Sequence, residues 1–112
     1  MSASTREKVL AALEQACREE WDSDWSRIRD CRSDESAAGY GTPTPDVAGY
    51  ARVTAATVRR VLYAELNAGR VLVTWQRGQR SLRWWPVGML ARLQDEQALC
   101  LMMSLHEQEA AQ

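Results

Sequence analysis

Apolar residues along this chain recur first every three to four positions, later every two, and finally without interruption. Val9, Leu10, Leu13, Ala16 and Cys17 share one side of a helical wheel, while Glu14, Arg18 and Glu19 lie elsewhere on it. This spacing predicts an amphipathic first helix over residues 4–21. Ser4 or Thr5 would cap it, with Glu7 three residues after Ser4 in capping-box position. Trp25, Ile28 and Cys31 repeat the helical spacing inside a polar stretch, which predicts a short helix over 23–30. The segment SDESAAGYGTPTP that follows has loop composition. Loops of such length are uncommon in a small domain unless they have a task or are disordered. Trp21 and Trp25 are expected to anchor this excursion to the core, because Trp buries a large area wherever it packs; a partner-binding patch is the alternative.

Thr44 can cap a helix that has Pro45 at its first position, carries Val47, Ala48 and Ala51, and ends near Arg52. After a tight turn, Thr54 is a good N-cap for a helix over 55–67, whose apolar face is Val58, Val61, Leu62 and Leu66. Gly69 ends it. From Arg70 the period becomes two: Val71, Val73 and Trp75 share one face, and Leu72, Thr74 and Gln76 the other. Arg77-Gly78-Gln79 makes a hairpin tip because glycine permits positive φ. The return strand is 80–85, closed by Pro86. Residues 87–107 are helical in composition, but 98–103 (ALCLMM) are apolar all round the wheel. Such a segment is either buried centrally or packed on a second chain. At the C-terminus of a small domain a homodimer interface is expected, through Leu93, Leu99, Cys100, Met102 and Met103. The fold class is mainly α with a small β-hairpin. It forms one domain, 1–112, divided into a first helix (1–21), a loop and short-helix insertion (22–45), a helix–turn–helix (46–69), a hairpin wing (70–86) and a C-terminal dimerisation helix (87–109).

Composition narrows the function. The 112 residues are 46% hydrophobic and 26% charged, ordinary for one globular domain. No run of about 18 apolar residues could span a membrane, and the N-terminus does not read as a signal peptide, so a cytoplasmic protein is expected. Cys17, Cys31 and Cys100 are odd in number and widely spaced, which argues for reduced thiols. With His106 as the one histidine, neither a metal site nor a nucleophile–base–orienter arrangement can be built by ligand count. No phosphate loop of the G-x-x-x-x-G-K type occurs. A binding protein without cofactor is therefore expected, not an enzyme.

Charge changes the picture most. The whole chain has a formal net charge of −1, yet residues 52–85 hold seven arginines (52, 59, 60, 70, 77, 80 and 83) against the single acid Glu65. Positive charge concentrated in one module points to a polyanionic partner. If Val58, Val61, Leu62 and Leu66 are buried, Ala56, Arg59, Arg60, Tyr63 and Asn67 face outward. Small Ala55, Ala56 and Thr57 let the helix N-terminus, with Thr54, approach a groove and offer free N–H groups to phosphate. An Arg here can bind guanine O6 and N7 together, while Arg77, Arg80 and Arg83 on the hairpin suit phosphate or a narrow minor groove. Against these stand plainer readings. Arg59 and Arg60 would solvate a helix face, and the hairpin arginines would protect an edge strand. Trp75, Trp84 and Trp85 are expected to pack within the hairpin and core. The acids Asp22, Asp24, Asp30, Asp34 and Glu35 read as a solvated run that could also contact the basic module.

The residues resemble the winged helix-turn-helix superfamily of bacterial, phage and plasmid regulators. Val47-Ala48 is followed by Val58 and then by Arg59-Arg60, Leu62, Leu66 and Gly69-Arg70-Val71. This is similar to that family's aliphatic–Ala pair on the supporting helix, Ser/Thr cap, Thr-Val-x-Arg start, two further buried Leu and Gly before the wing. The likeness covers residues 44–86 well and the flanking helices by type. One departure stands out: the turn usually carries Gly before its aliphatic residue, and here Arg52 precedes Val53. A non-Gly residue there either takes an unfavourable backbone conformation or reshapes the turn. The resemblance implies sequence-specific binding of double-stranded DNA as a homodimer, by a small transcriptional regulator or a plasmid or phage DNA-binding factor. Winged helices also serve as protein-interaction and assembly modules, so that class is the alternative.

Overall fold

The computed structural model describes residues 2–33 and 35–111, so Asp34 of the acidic run lies outside the described residues. In chain order these form α1 (Ser2–Asp22), α2 (Ser26–Arg29), a 3-10 turn (Ala37–Gly39), β1 (Thr42–Pro43), α3 (Thr44–Ala51), α4 (Ala55–Asn67), β2 (Val71–Thr74), β3 (Arg83–Pro86) and α5 (Met89–Ala111). The architecture is mainly helical around a small three-stranded antiparallel sheet of order β1-β3-β2. Among the described residues no helix is long and apolar enough to cross a membrane.

Of the predicted stripe, α1 buries Val9, Leu13, Ala16 and Cys17 and leaves Leu10 half-buried, and it also buries Ala12. It starts at Ser2, so Ser4 and Thr5 are helical residues and cap nothing. The hairpin expected from the sequence gains a third strand, because β1 pairs Thr42 with Trp84 and Pro43 with Arg83 on the free side of β3. β2 pairs on the other side, Val73 opposite Trp84 and Leu72 opposite Trp85. β3 is thus the central strand, and its neighbouring residues must point to opposite faces. Trp84 and Trp85 are nevertheless both fully buried, so the sheet is covered on both faces. Burying an indole of about 200 Å² contributes about 5 kcal/mol before entropy is charged against it.

The two covers come from different parts of the chain. Trp84 faces the helices: its ring meets Tyr63 edge-on at 5.4 Å and its Nε1 donates to Thr44 Oγ1 at 2.8 Å. α3 starts at Thr44 with Pro43 as its N-cap, so Thr44 is not in the expected cap position and α3 has no side-chain cap. Trp85 faces the other way, against Trp25 at 4.8 Å, and its Nε1 donates to Thr74 Oγ1 at 2.9 Å. The part of the 22–45 insertion that precedes β1 is thus a lid on the second face of the sheet, anchored by buried Trp25 and half-buried Trp21 as expected. Gly41 is required for the close approach: a Cβ there would lie 2.8 Å from Trp85 Cε2 and 2.9 Å from Arg83 Cβ.

α5 packs its first turns on α2, the 3-10 turn and β3. Leu93 is fully buried in this monomer core, which removes it from the expected dimer interface. Beyond Cys100 the helix is mostly exposed. The Cα radius of gyration is 16.1 Å and the longest extent 62 Å, against about 13 Å expected for a compact chain of this length.

Candidate nucleic-acid interface

α4 carries the predicted face. Thr54 is extended (φ −73°, ψ 155°) and its Oγ1 accepts the Thr57 N–H at 3.2 Å, the N-cap bond that the sequence called for. The same oxygen lies 2.9 Å from Thr57 Oγ1, so both hydroxyls are tied at the helix start. Val58 and Leu62 are buried, Val61 and Leu66 half-buried. Ala56, Arg59, Arg60, Tyr63 and Asn67 are all exposed. The Tyr63 ring leans on Trp84, which fixes the ring while leaving the residue 45% exposed.

The turn before α4 resolves the departure at Arg52. Arg52 adopts the left-handed conformation (φ 59°, ψ 43°), and its N–H closes the end of α3 on Ala48 O. The Val53 N–H reaches the same carbonyl at 3.2 Å. The turn therefore keeps the shape that glycine would give, with an arginine in the unfavourable position.

The hairpin tip is held on the insertion by Gln79. Its N–H donates to Gln76 O at 3.0 Å, its Oε1 accepts from the Gln76 N–H at 3.0 Å, and its Nε2 donates to Gly39 O at 2.9 Å. Thr74 Oγ1 adds a bond to Ala38 O at 2.6 Å. Gly78 takes φ 93° at the turn, as predicted. Arg77 and Arg80 project from this braced tip and are exposed. Trp75, expected to pack, is instead 55% exposed, with its indole N–H donating to Gln79 O at 3.0 Å. It follows the last residue of β2, where the sheet no longer offers a surface to cover it.

Two arginines of the basic stretch leave the set. Arg70 and Arg6 both donate to Glu65, whose side chain is only 2% exposed. Hydrogen bonds from Arg70 and Arg6 hold the Glu65 carboxyl down at about 2. The lone acid of the stretch is thus a buried clamp between α1 and the start of β2. Arg83 lies within β3 opposite Pro43 and Thr74, not at the tip. It is half-buried, its Nη1 reaches Gly41 O at 3.5 Å, and it lines a cleft of about 470 Å³ with Glu20, Asp24 and Asp46. In that cleft burial and the Asp24 carboxyl push Glu20 up to about 7.

What is left is Arg52, Arg59, Arg60, Arg77 and Arg80, all exposed, and none in an ion pair among the described residues. Among the described residues the insertion's acids form no ion pair with them: Asp22 and Asp30 pair locally with Arg29, and Asp30 also with Arg32. Of the expected dimer residues, Leu99, Met102 and Met103 are exposed at 57%, 67% and 57%. Cys100 is half-buried. Leu101 and Leu105, exposed at 49% and 60%, extend the apolar surface. Sequence reasoning missed Glu65 as a clamp, Arg6 as its partner and Gln79 as the brace. Glu65 carried a usable signal, since it falls with Leu62 and Leu66 on the buried side of α4. Comparison of the chain with family models, with known proteins and with solved structures gives no match.

Proposed function

We propose that this chain is a winged-helix protein that binds double-stranded DNA as a homodimer, acting as a small transcriptional regulator or a plasmid or phage DNA-binding factor. The observation that carries the reading is the division of the arginines. Arg59 and Arg60 on α4 and Arg77 and Arg80 on the hairpin stand exposed and unpaired among the described residues, beside a capped helix N-terminus. Unpaired guanidiniums held on rigid elements are suited to phosphate and base-edge contacts. The strand order β1-β3-β2, with two helices between β1 and β2, also supports assignment to the winged-helix class. In this reading α4 enters the major groove with Thr54, Ala56, Thr57, Arg59, Arg60 and Tyr63, and Arg77 and Arg80 touch the adjacent backbone or minor groove. The exposed apolar arm of α5 pairs two copies through Leu99, Met102 and Met103.

A salt titration of duplex binding tests the proposal. Arg80→Ala should weaken all sequences alike and reduce the log–log salt slope by about 1. Arg59→Ala should cost about 1–3 kcal/mol on a preferred site and relax sequence preference. Absence of duplex binding at low salt refutes it. The competing class is a protein-docking module, favoured by exposed Trp75 on the hairpin. Loss of a protein partner on Trp75→Ala, without any duplex affinity in the parent protein, would select that class.

A further inference from the structure

The end of α2 and the middle of α5 bring two cysteines together that the sequence holds far apart. Cys31 follows α2 in a left-handed conformation (φ 60°) that side chains seldom adopt. That backbone turn aims its thiol at α5, where the Sγ–H donates to Gln97 O at 3.5 Å. Cys100 lies three residues beyond Gln97, on the same side of α5 and one turn further along. Both thiols are free and both residues are half-buried, so a small oxidant can reach them. Burial and the adjoining Cys100 thiol push Cys31 up to about 11. Cys17, by contrast, is fully buried beneath the sheet and is held by Thr42 at 3.2 Å.

We propose that Cys31 and Cys100 form a reversible intramolecular disulfide when the protein meets hydrogen peroxide, stapling the insertion to α5 at the point beyond which the helix is mostly exposed. The step balances with peroxide as the named oxidant. One sulfur attacks a peroxide oxygen, giving a sulfenic acid and releasing water. The second sulfur then displaces the sulfenic oxygen, which leaves as a second water carrying the remaining thiol proton. Two thiols are oxidised by two electrons, and one peroxide is reduced. A thiol reductant restores the pair by exchange. The bond closes a long loop, and such cross-links stabilise through the unfolded state. It would fix the angle at which the apolar arm departs.

Treating the full-length protein with hydrogen peroxide and following intact mass and free thiols tests this. The expected result is loss of two hydrogens and a fall from three free thiols to one, with dithiothreitol reversing both. Tryptic digestion without reductant should yield peptide 30–32 joined to peptide 93–112. Thermal unfolding of the oxidised protein should shift upward by on the order of 10 °C. Cys31→Ser and Cys100→Ser should each prevent the joined peptide, while both remain folded by circular dichroism. Peroxide giving only sulfinic or sulfonic acids overturns the proposal. So does disulfide only between two copies, or a bond that includes Cys17.

Discussion

Arg52 offers the sharpest test of the physical reasoning, because one backbone angle sets the expectation. At φ 59° and ψ 43° its Cβ crowds the following carbonyl, a conformation that costs an L-residue about 1–2 kcal/mol. Glycine removes that penalty but gains freedom in the unfolded chain, which opposes it by about 0.4–1 kcal/mol. Arg52→Gly should therefore stabilise the fold by about 0.5–1 kcal/mol net, or about 2–5 °C in Tm for a domain of this size. Arg52 makes no side-chain hydrogen bond or ion pair among the described residues, so deleting the guanidinium alone should change little. Arg52→Ala is the matching control: it keeps the Cβ and hence the penalty, and it removes the charge. The assay is urea unfolding at fixed protein concentration, followed by Trp fluorescence and by far-ultraviolet circular dichroism. Fixed concentration matters because dimerisation would add its own stabilisation. The reasoning is refuted if Arg52→Gly is no more stable than Arg52→Ala.

Three further outcomes are expected. Glu65, held at about 2 by Arg70 and Arg6, contributes stability that is present above the ordinary carboxylate pKa and lost as pH falls toward 2. Glu65→Gln should accordingly be destabilised at neutral pH, with the gap to wild type closing between about pH 4.5 and 2 in acid-unfolding curves; a gap independent of pH would contradict the clamp. Gly41→Ala should lose about 1–3 kcal/mol by overpacking against Trp85, read as a lower urea midpoint, and an unchanged midpoint would mean the lid can shift without penalty. Replacing Leu99, Met102 and Met103 together by Gln should convert a dimer to a monomer in sedimentation equilibrium, whereas a parent protein already monomeric at micromolar concentration would remove α5 as the dimer arm.

How much of this was legible in the sequence depends on the range of the interactions. α4 was read to the residue, because its cap (Thr54), its period (Val58, Leu62) and its terminator (Gly69) are all local signals. The turn at Gly78 and the switch to period two were local as well. β1 was not legible: two residues, Thr42 and Pro43, carry no periodicity and become a strand only because β3 presents a free edge. The insertion's role was half legible, since Trp21 and Trp25 promised anchoring but could not name the sheet face they would cover.

The candidate site divides in the same way. The sequence by itself determined that seven arginines fall within one helix–turn–helix and hairpin stretch, and which of them lie on the polar side of α4. Tertiary structure alone decided which charges are free to meet a partner. Arg70 shares the Glu65 carboxylate with Arg6, which lies 59 residues before that acid. Arg83 is drawn into a cleft by the register of β3, and Leu93 into the core by the docking of α5. Each of these outcomes involves a contact between residues distant in sequence, which in the first case is that of Arg6 with Glu65. Local periodicity carries no information about such pairings, because they exist only once the sheet has closed and both its faces have been covered.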